Sequence, residues 1–187
     1  MAVGVQRFEV ELRGILSEET HGELGRYLGQ HSERAQEDDK ITYFFVTKGF
    51  ILKVTHDLSR KKAKITVKLG DETQNILEEY EIDIPTDKVE DAVNMYRHLG
   101  FTQVNRVYQK RTNFWYKETV VALKHTDDWG YHFEIEAMAA NEVEAEQKKV
   151  YLTQVCQELG VTYMTPEQIR EHIANINRRH GFTEPHA

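Results

Sequence analysis

The chain has 187 residues, 40% hydrophobic and 10% aromatic, enough apolar material for a buried core and too much for a disordered acidic chain. Its 24 basic and 31 acidic residues leave a net charge of −7, which argues against extended nucleic acid or an anionic membrane as partner. The single cysteine, Cys156, excludes an internal disulfide and a cysteine-rich zinc site. No apolar run approaches the roughly 18–20 residues of a membrane span. The opening MAVGVQRFEVELRG lacks an apolar signal core, so a cytoplasmic protein is expected.

In chain order, Arg7–Arg13 alternates strictly and predicts a strand. Ser17–Leu28 predicts a weak helix, interrupted by Gly22 and Gly25. Thr42–Val46 and Gly49–Thr55 are rich in β-branched and aromatic residues and predict strands, as does the alternating Ala63–Leu69, followed by a Gly70-Asp71 turn. Glu78–Ile84 is a further strand. Asp87–Leu99 predicts a helix, with Asp87 and Glu90 as a capping pair and Gly100 just past its end. Val104–Tyr108, Lys117–His125 and Tyr131–Ala137 predict the last strands, with a turn at Asp127-Asp128-Trp129-Gly130. Glu142–Leu159 predicts a helix capped by Asn141 and stopped at Gly160. Pro166–Arg179 predicts another, with Thr165 and Gln168 as a capping box and Pro166 at the first helical position. No repeat or linker stands out, so one domain is expected over 1–187, with strands from about 5 to 140 and C-terminal helices from about 141 to 180.

The strand alternation carries the chemistry. Phe8, Val10 and Leu12 share one face of the first strand; Glu9, Glu11 and Arg13 share the other. Tyr131, Phe133, Ile135 and Ala137 oppose His132, Glu134 and Glu136 in the same way. For one strand alone, this reads as a sandwich with its charged face in water. For the strands together, a second reading opens. Carboxylates two apart on a strand point the same way at roughly 6.5–7 Å. Two such pairs lining one cavity repel unless a cation sits between them. Clustered carboxylate oxygens suit Mg²⁺ or Mn²⁺, and nearby lysines and arginines suit the phosphates that such a metal carries.

At Glu9-Val10-Glu11-Leu12-Arg13 the chain resembles the E-x-E-x-K signature of the CYTH family, the triphosphate tunnel metalloenzymes. Ile65-Thr66-Val67-Lys68-Leu69-Gly70 resembles the family's strand that ends in a phosphate-binding lysine before a glycine turn. Tyr80–Asp83, the following helix and Leu99-Gly100-Phe101 resemble its central passage. Gln109-Lys110-Arg111 stands where the family has K-x-R, and Trp129-Gly130 with Phe133-Glu134-Ile135-Glu136 resembles its closing motif. The resemblance runs from Phe8 to about Ile173.

It implies an α+β fold: a closed, antiparallel, eight-stranded β-barrel forming a tunnel, with flanking helices and a C-terminal helical tail. It implies Mg²⁺ or Mn²⁺ on Glu9, Glu11, Glu134 and Glu136, phosphate binding by Arg13, Lys53, Lys68 and Arg111, and a catalytic set of Glu9, Glu11 and Arg13. The expected partner is a small triphosphorylated molecule, and a homodimer stays open. The expected activity is metal-dependent hydrolysis of inorganic, thiamine or nucleoside triphosphate. The alternatives are a non-catalytic nucleotide or polyphosphate binder and a cyclase of the class IV adenylate cyclase type. Several positions depart from the pattern. Arg13 replaces a lysine, Ile51 and Gln109 replace cations, and Lys124 stands where an aspartate is usual. Lys64, Arg106 and His56 are candidates to restore charge, and Asp127 and Asp128 to replace the missing acid.

Overall fold

Strict alternation on a sheet that closes on itself sends one set of side chains outward and the other inward. The computed structural model describes residues 8–183 and shows such a closure. Its strands are β1 (Phe8–Ile15), β2 (Arg34–Phe45), β3 (Phe50–Asp57), β4 (Lys62–Leu69), β5 (Ile76–Ile84), β6 (Val104–Tyr116), β7 (Thr119–Thr126) and β8 (Gly130–Ala139). They form a closed barrel in the order β1-β5-β4-β3-β2-β6-β7-β8, every pair antiparallel. The helices are α1 (Glu18–His31), α2 (Val89–His98), α3 (Glu142–Glu158) and α4 (Pro166–His180). Arg7, placed in the first strand by its alternation, lies outside the described residues.

The apolar core lies outside the barrel wall, between the wall and the helices. Val10 and Leu12 of β1 and Phe133 and Ile135 of β8 pack with Leu28 of α1 and with Leu152 and Val155 of α3. A second cluster joins Leu52 and Val54 of β3 and Tyr43 of β2 to Val89 and Val93 of α2. Each fully buried Val, Leu or Phe contributes roughly 1.5–3 kcal/mol, so these two layers hold the helices on.

Two strands are longer than their alternation predicted. β2 begins at Arg34 and β6 continues to Tyr116, and the two pair along their length from Arg34↔Trp115 to Phe45↔Val104. The first half of β2 is almost wholly polar, which hides a strand from a reading based on apolar residues. The inward members, Gln36 and Asp38, find polar partners inside the barrel instead. α1 extends past Leu28 to His31, with Leu24 and Leu28 buried and Ser17 accepting a hydrogen bond from the Thr20 N–H at 3.0 Å. α2 begins at Val89 after a single 3₁₀ turn at Thr86–Lys88 and has no side-chain cap. The expected Asp87–Glu90 pair does not form: Asp87 lies within the 3₁₀ turn, and the Glu90 carboxylate accepts a hydrogen bond from the Tyr43 hydroxyl at 2.6 Å. The caps of α3 and α4 match expectation: Asn141 accepts from the Glu144 N–H at 2.9 Å, and Thr165 with Gln168 closes a complete capping box.

Gly14 marks the tightest packing of β1. A Cβ there would lie 2.5 Å from the Thr162 carbonyl oxygen and 2.6 Å from the Phe133 ring. Gly14→Ala therefore destabilises the protein by about 2–3 kcal/mol through overpacking against backbone. Urea denaturation should show a lower midpoint with an unchanged slope. An unchanged midpoint would contradict this close approach.

Candidate functional site

The inward faces of the strands form a charged lining. β1 presents Glu9, Glu11 and Arg13, and its partner β8 places Glu136 across from Glu11 and Glu134 across from Arg13. β7 sets Lys124 across from His132. β6 sets Arg111 across from Lys124, and β4 sets Lys68 across from Glu79. Lys53 of β3 pairs across to Thr66.

Glu9, Glu11 and Glu136 converge, with one carboxylate oxygen from each lying within 4.8 Å of the others. Cations surround them. Lys68, buried at 4% exposure, forms an ion pair with Glu9 and lies 3.3 Å from Glu79 and 3.9 Å from Glu11. Arg13 Nη2 approaches Glu11 Oε1 at 2.5 Å, but that oxygen accepts no aligned hydrogen bond. The Arg13 guanidinium also lies 5.7 Å from the centroid of the Trp129 ring. Arg111 Nη2 lies 3.7 Å from Glu136 and its Nε donates to Asn113 Oδ1 at 2.6 Å. Among the described residues, Lys53 has no carboxylate within ion-pair distance. Glu134 stands apart from the other three, in an ion pair with Lys124.

The electrostatics follow from this arrangement. Burial raises the Glu11 pKa, but Arg13, Lys124 and Lys53 overcome that effect and hold it below the usual carboxylate value. Burial and the Arg111 charge push Lys124 well below the usual lysine value, against Glu11 and Glu136. The Glu134 carboxylate in contact with Lys124 adds a further opposing pull. Burial, then Lys124, lowers the His132 pKa to about 3, so this imidazole is neutral at pH 7.

A second polar network stiffens the wall beyond Arg111. Asp38 of β2 is 1% exposed and receives a bidentate contact from Arg60, Nη2 at 2.7 Å and Nε at 3.1 Å. It also accepts from Asn113 Nδ2 at 2.7 Å and from Gln36 Nε2 at 2.9 Å. Lys40 lies 3.6 Å from Asp38 and 3.4 Å from Asp57. Asn113 thus joins Asp38 to the guanidinium of Arg111. Sequence reasoning missed Asp38, Lys40, Asp57, Glu79 and Asn113. The signal was present in β2, since Gln36, Asp38 and Lys40 continue the two-residue phase of Thr42.

The departures from the family pattern resolve geometrically. Lys110 points to the outer face, where it is exposed, and Gln109 takes the inward position beside Arg111. Ile51 is buried at 7% exposure. Lys64 faces inward on Glu81, whereas Arg106 lies outside over the Tyr43 ring at 5.9 Å, and His56 pairs with Ala63, whose side chain packs in the outer α2 cluster. Asp128 accepts from Asn105 at 2.7 Å and pairs with His180 at 2.9 Å and Arg179 at 3.5 Å, which ties α4 to the β7–β8 turn and away from the carboxylates. Arg60, in the turn between β3 and β4, reaches inward to Asp38. Cys156 is a core residue.

The CYTH domain model matches residues 7–165. The chain belongs to the CYTH family. The barrel is similar to that of the PH1012 protein of Pyrococcus horikoshii OT3, at 22% identity and a TM-score of 0.68, over 86% of this chain and 98% of that one. It is similar to a structure from Vibrio parahaemolyticus described as a candidate adenylate cyclase, at 18% identity and a TM-score of 0.63, over 89% and 98% of the chains. It is also similar to HpAC1 of Hippeastrum, described as a candidate adenylyl cyclase with a dominant triphosphatase activity, at 16% identity and a TM-score of 0.59, over 84% and 89%. No curated protein matches the chain. Among the described residues, no helix is long and apolar enough to cross a membrane. In this CYTH barrel the acidic cluster offers only hard oxygen donors, and Glu11 brings a buried oxygen without an aligned hydrogen bond. Those donors fit a divalent cation that keeps water or phosphate oxygens in its other positions.

Proposed function

We propose that this CYTH protein hydrolyses a small triphosphate inside its barrel with Mg²⁺ or Mn²⁺. The observation that carries the reading is the convergence of Glu9, Glu11 and Glu136 within a closed wall that also presents Lys53, Lys68, Arg13 and Arg111. Glu9, Glu11 and Glu136 would hold the metal ion, which would neutralise phosphate charge. Lys53, without a carboxylate partner among the described residues, takes phosphate oxygens directly. Arg111, only loosely paired with Glu136, is held by Asn113 in an orientation suited to a forked contact. Arg13 and Lys68 complete the positive side, and a lining carboxylate orients the attacking water. Catalysis of this type is mostly positioning and electrostatic stabilisation.

The deciding experiment incubates the protein with Mg²⁺ or Mn²⁺ and tripolyphosphate, thiamine triphosphate and nucleoside triphosphates in turn. Release of orthophosphate supports the reading. Pyrophosphate with a cyclic nucleotide would assign a cyclase instead. The ion pairing of Lys124, Lys68 and Arg13 with lining carboxylates favours a second reading, a binding protein without turnover. Tight binding of tripolyphosphate with no product under either metal would establish it.

Arg111→Ala should lower kcat/KM for the preferred triphosphate by about 10²-fold, as loss of one transition-state donor does elsewhere. Arg111→Lys should recover only part, because an ammonium cannot make the forked contact. Equal rates for the alanine variant and the parent would remove Arg111 from the site.

A further inference from the structure

Lys124 is a lining residue that the proposed chemistry leaves unused. It stands in the middle of β7, 5% exposed, level with Arg111 on one neighbour and His132 on the other. Its ammonium holds the Glu134 carboxylate. Glu134 and Glu136 are two residues apart on β8 and face the same way, yet only Glu136 joins Glu9 and Glu11. The difference is Lys124. A second divalent ion on this side of the lining would need Glu134 as a donor, and it would have to sit against a buried ammonium. Like charges in a poorly solvated site repel strongly, and Glu134 alone, unlike the cluster of three carboxylates, offers too few donors for a dication to displace the ammonium beside it.

We propose that Lys124 is a built-in cation occupying the corner that a second divalent ion would need. The barrel then holds one divalent ion, on Glu9, Glu11 and Glu136, with Glu134 serving as the counter-ion of Lys124. This inference rests on the metal-site reading above and goes beyond it by setting the number of ions and giving a role to a position where the family pattern is broken. Three carboxylates leave about half of an octahedral shell open to water and phosphate oxygens, enough for one ion to bridge the wall and a ligand. A covalently attached charge is also present whatever the metal concentration.

The test titrates the full chain with Mn²⁺ alone, without any triphosphate, and reads free Mn²⁺ by electron paramagnetic resonance. The parent should bind one ion per chain. Lys124→Gln, which frees Glu134 while keeping a long polar side chain, should bind a second, weaker ion. Lys124→Asp, which adds a donor, should bind that second ion more tightly. Circular dichroism checks that each variant is folded, and the glutamine variant carries the test if the aspartate variant is not. Two ions of similar affinity on the parent would overturn the inference and leave the metal site standing. A count that stays at one in both folded variants would overturn it as well. No bound ion on the parent would overturn the inference and the metal-site reading together.

Discussion

Glu11→Gln should lower triphosphate hydrolysis by about 10³-fold and weaken Mn²⁺ binding by at least ~10²-fold. Glu11 is the best placed of the three clustered carboxylates for such a loss. It is 9% exposed, it is held ionised by Arg13, Lys124 and Lys53, and its Oε1 has no aligned hydrogen bond. The amide keeps the shape but removes one anionic donor from a set of three. It also leaves Arg13 beside a neutral group, so the lining becomes more positive in the absence of metal. Two consequences separate this from general damage. The urea midpoint should fall, because Arg13 loses a buried partner, while circular dichroism still reports a folded chain, and Mn²⁺-dependent thermal stabilisation of the parent should be largely absent in the variant. The same substitution at Glu134 should be much milder on Mn²⁺ affinity, since Glu134 faces Lys124. If Glu134→Gln and Glu11→Gln were equally damaging to Mn²⁺ binding, the division of the four carboxylates drawn here would be wrong.

Asp38→Ala should destabilise the fold by about 3 kcal/mol, the low end of the cost of removing one partner of a buried ion pair. The lower end is appropriate because Arg60, its closest partner, is 39% exposed and keeps access to water. Lys40 and Asn113 have less recourse, since both lose their contact with the same carboxylate. The pH dependence gives the sharper test. Burial raises the Asp38 pKa, but the Arg60 hydrogen bonds, Lys40 and Gln36 overcome it, so the folded-state pKa lies below the ordinary value. A carboxyl with a depressed folded pKa contributes stability that is present above its unfolded pKa, near 3.9, and is lost as pH falls through the folded value. The gap between the parent and Asp38→Asn should therefore be constant from about pH 5 to 7 and close below about pH 4. A gap independent of pH down to pH 3 would mean that the charge of Asp38 contributes little.

The architecture was legible where apolar alternation was strong. Val10 and Leu12, Ile65 and Val67, and Phe133 and Ile135 each declared a strand and its outward face, and Glu9, Glu11, Glu134 and Glu136 followed as the inward set. The structure brings three of those four together. It was not legible where both faces of a strand carry polar groups, as in Arg34–Lys40, because alternation of charge against charge has no apolar phase to read. Nor does one-dimensional spacing show which lining cation meets which carboxylate. Lys68 with Glu9 joins residues 59 apart in sequence, and only the closure of β1 onto β5 beside β4 makes them neighbours. The capping pair at Asp87 and Glu90 fit the sequence pattern, but Tyr43 on a distant strand competes for the same carboxylate.

The outward core and the inward lining share one wall and face opposite ways. Packing is decided by residues such as Val10, Leu12, Phe133 and Ile135, while every charge of interest sits on the intervening positions. Substitution of a single lining residue therefore leaves the helices seated, even where, as at Asp38, it removes a buried ion pair. Insertion or deletion of one residue within a strand has the opposite character. It inverts the phase of everything beyond it, delivering carboxylates to the helices and leucines to the tunnel. A barrel of this kind should accumulate point changes such as Lys124 readily, while length changes are confined to its turns.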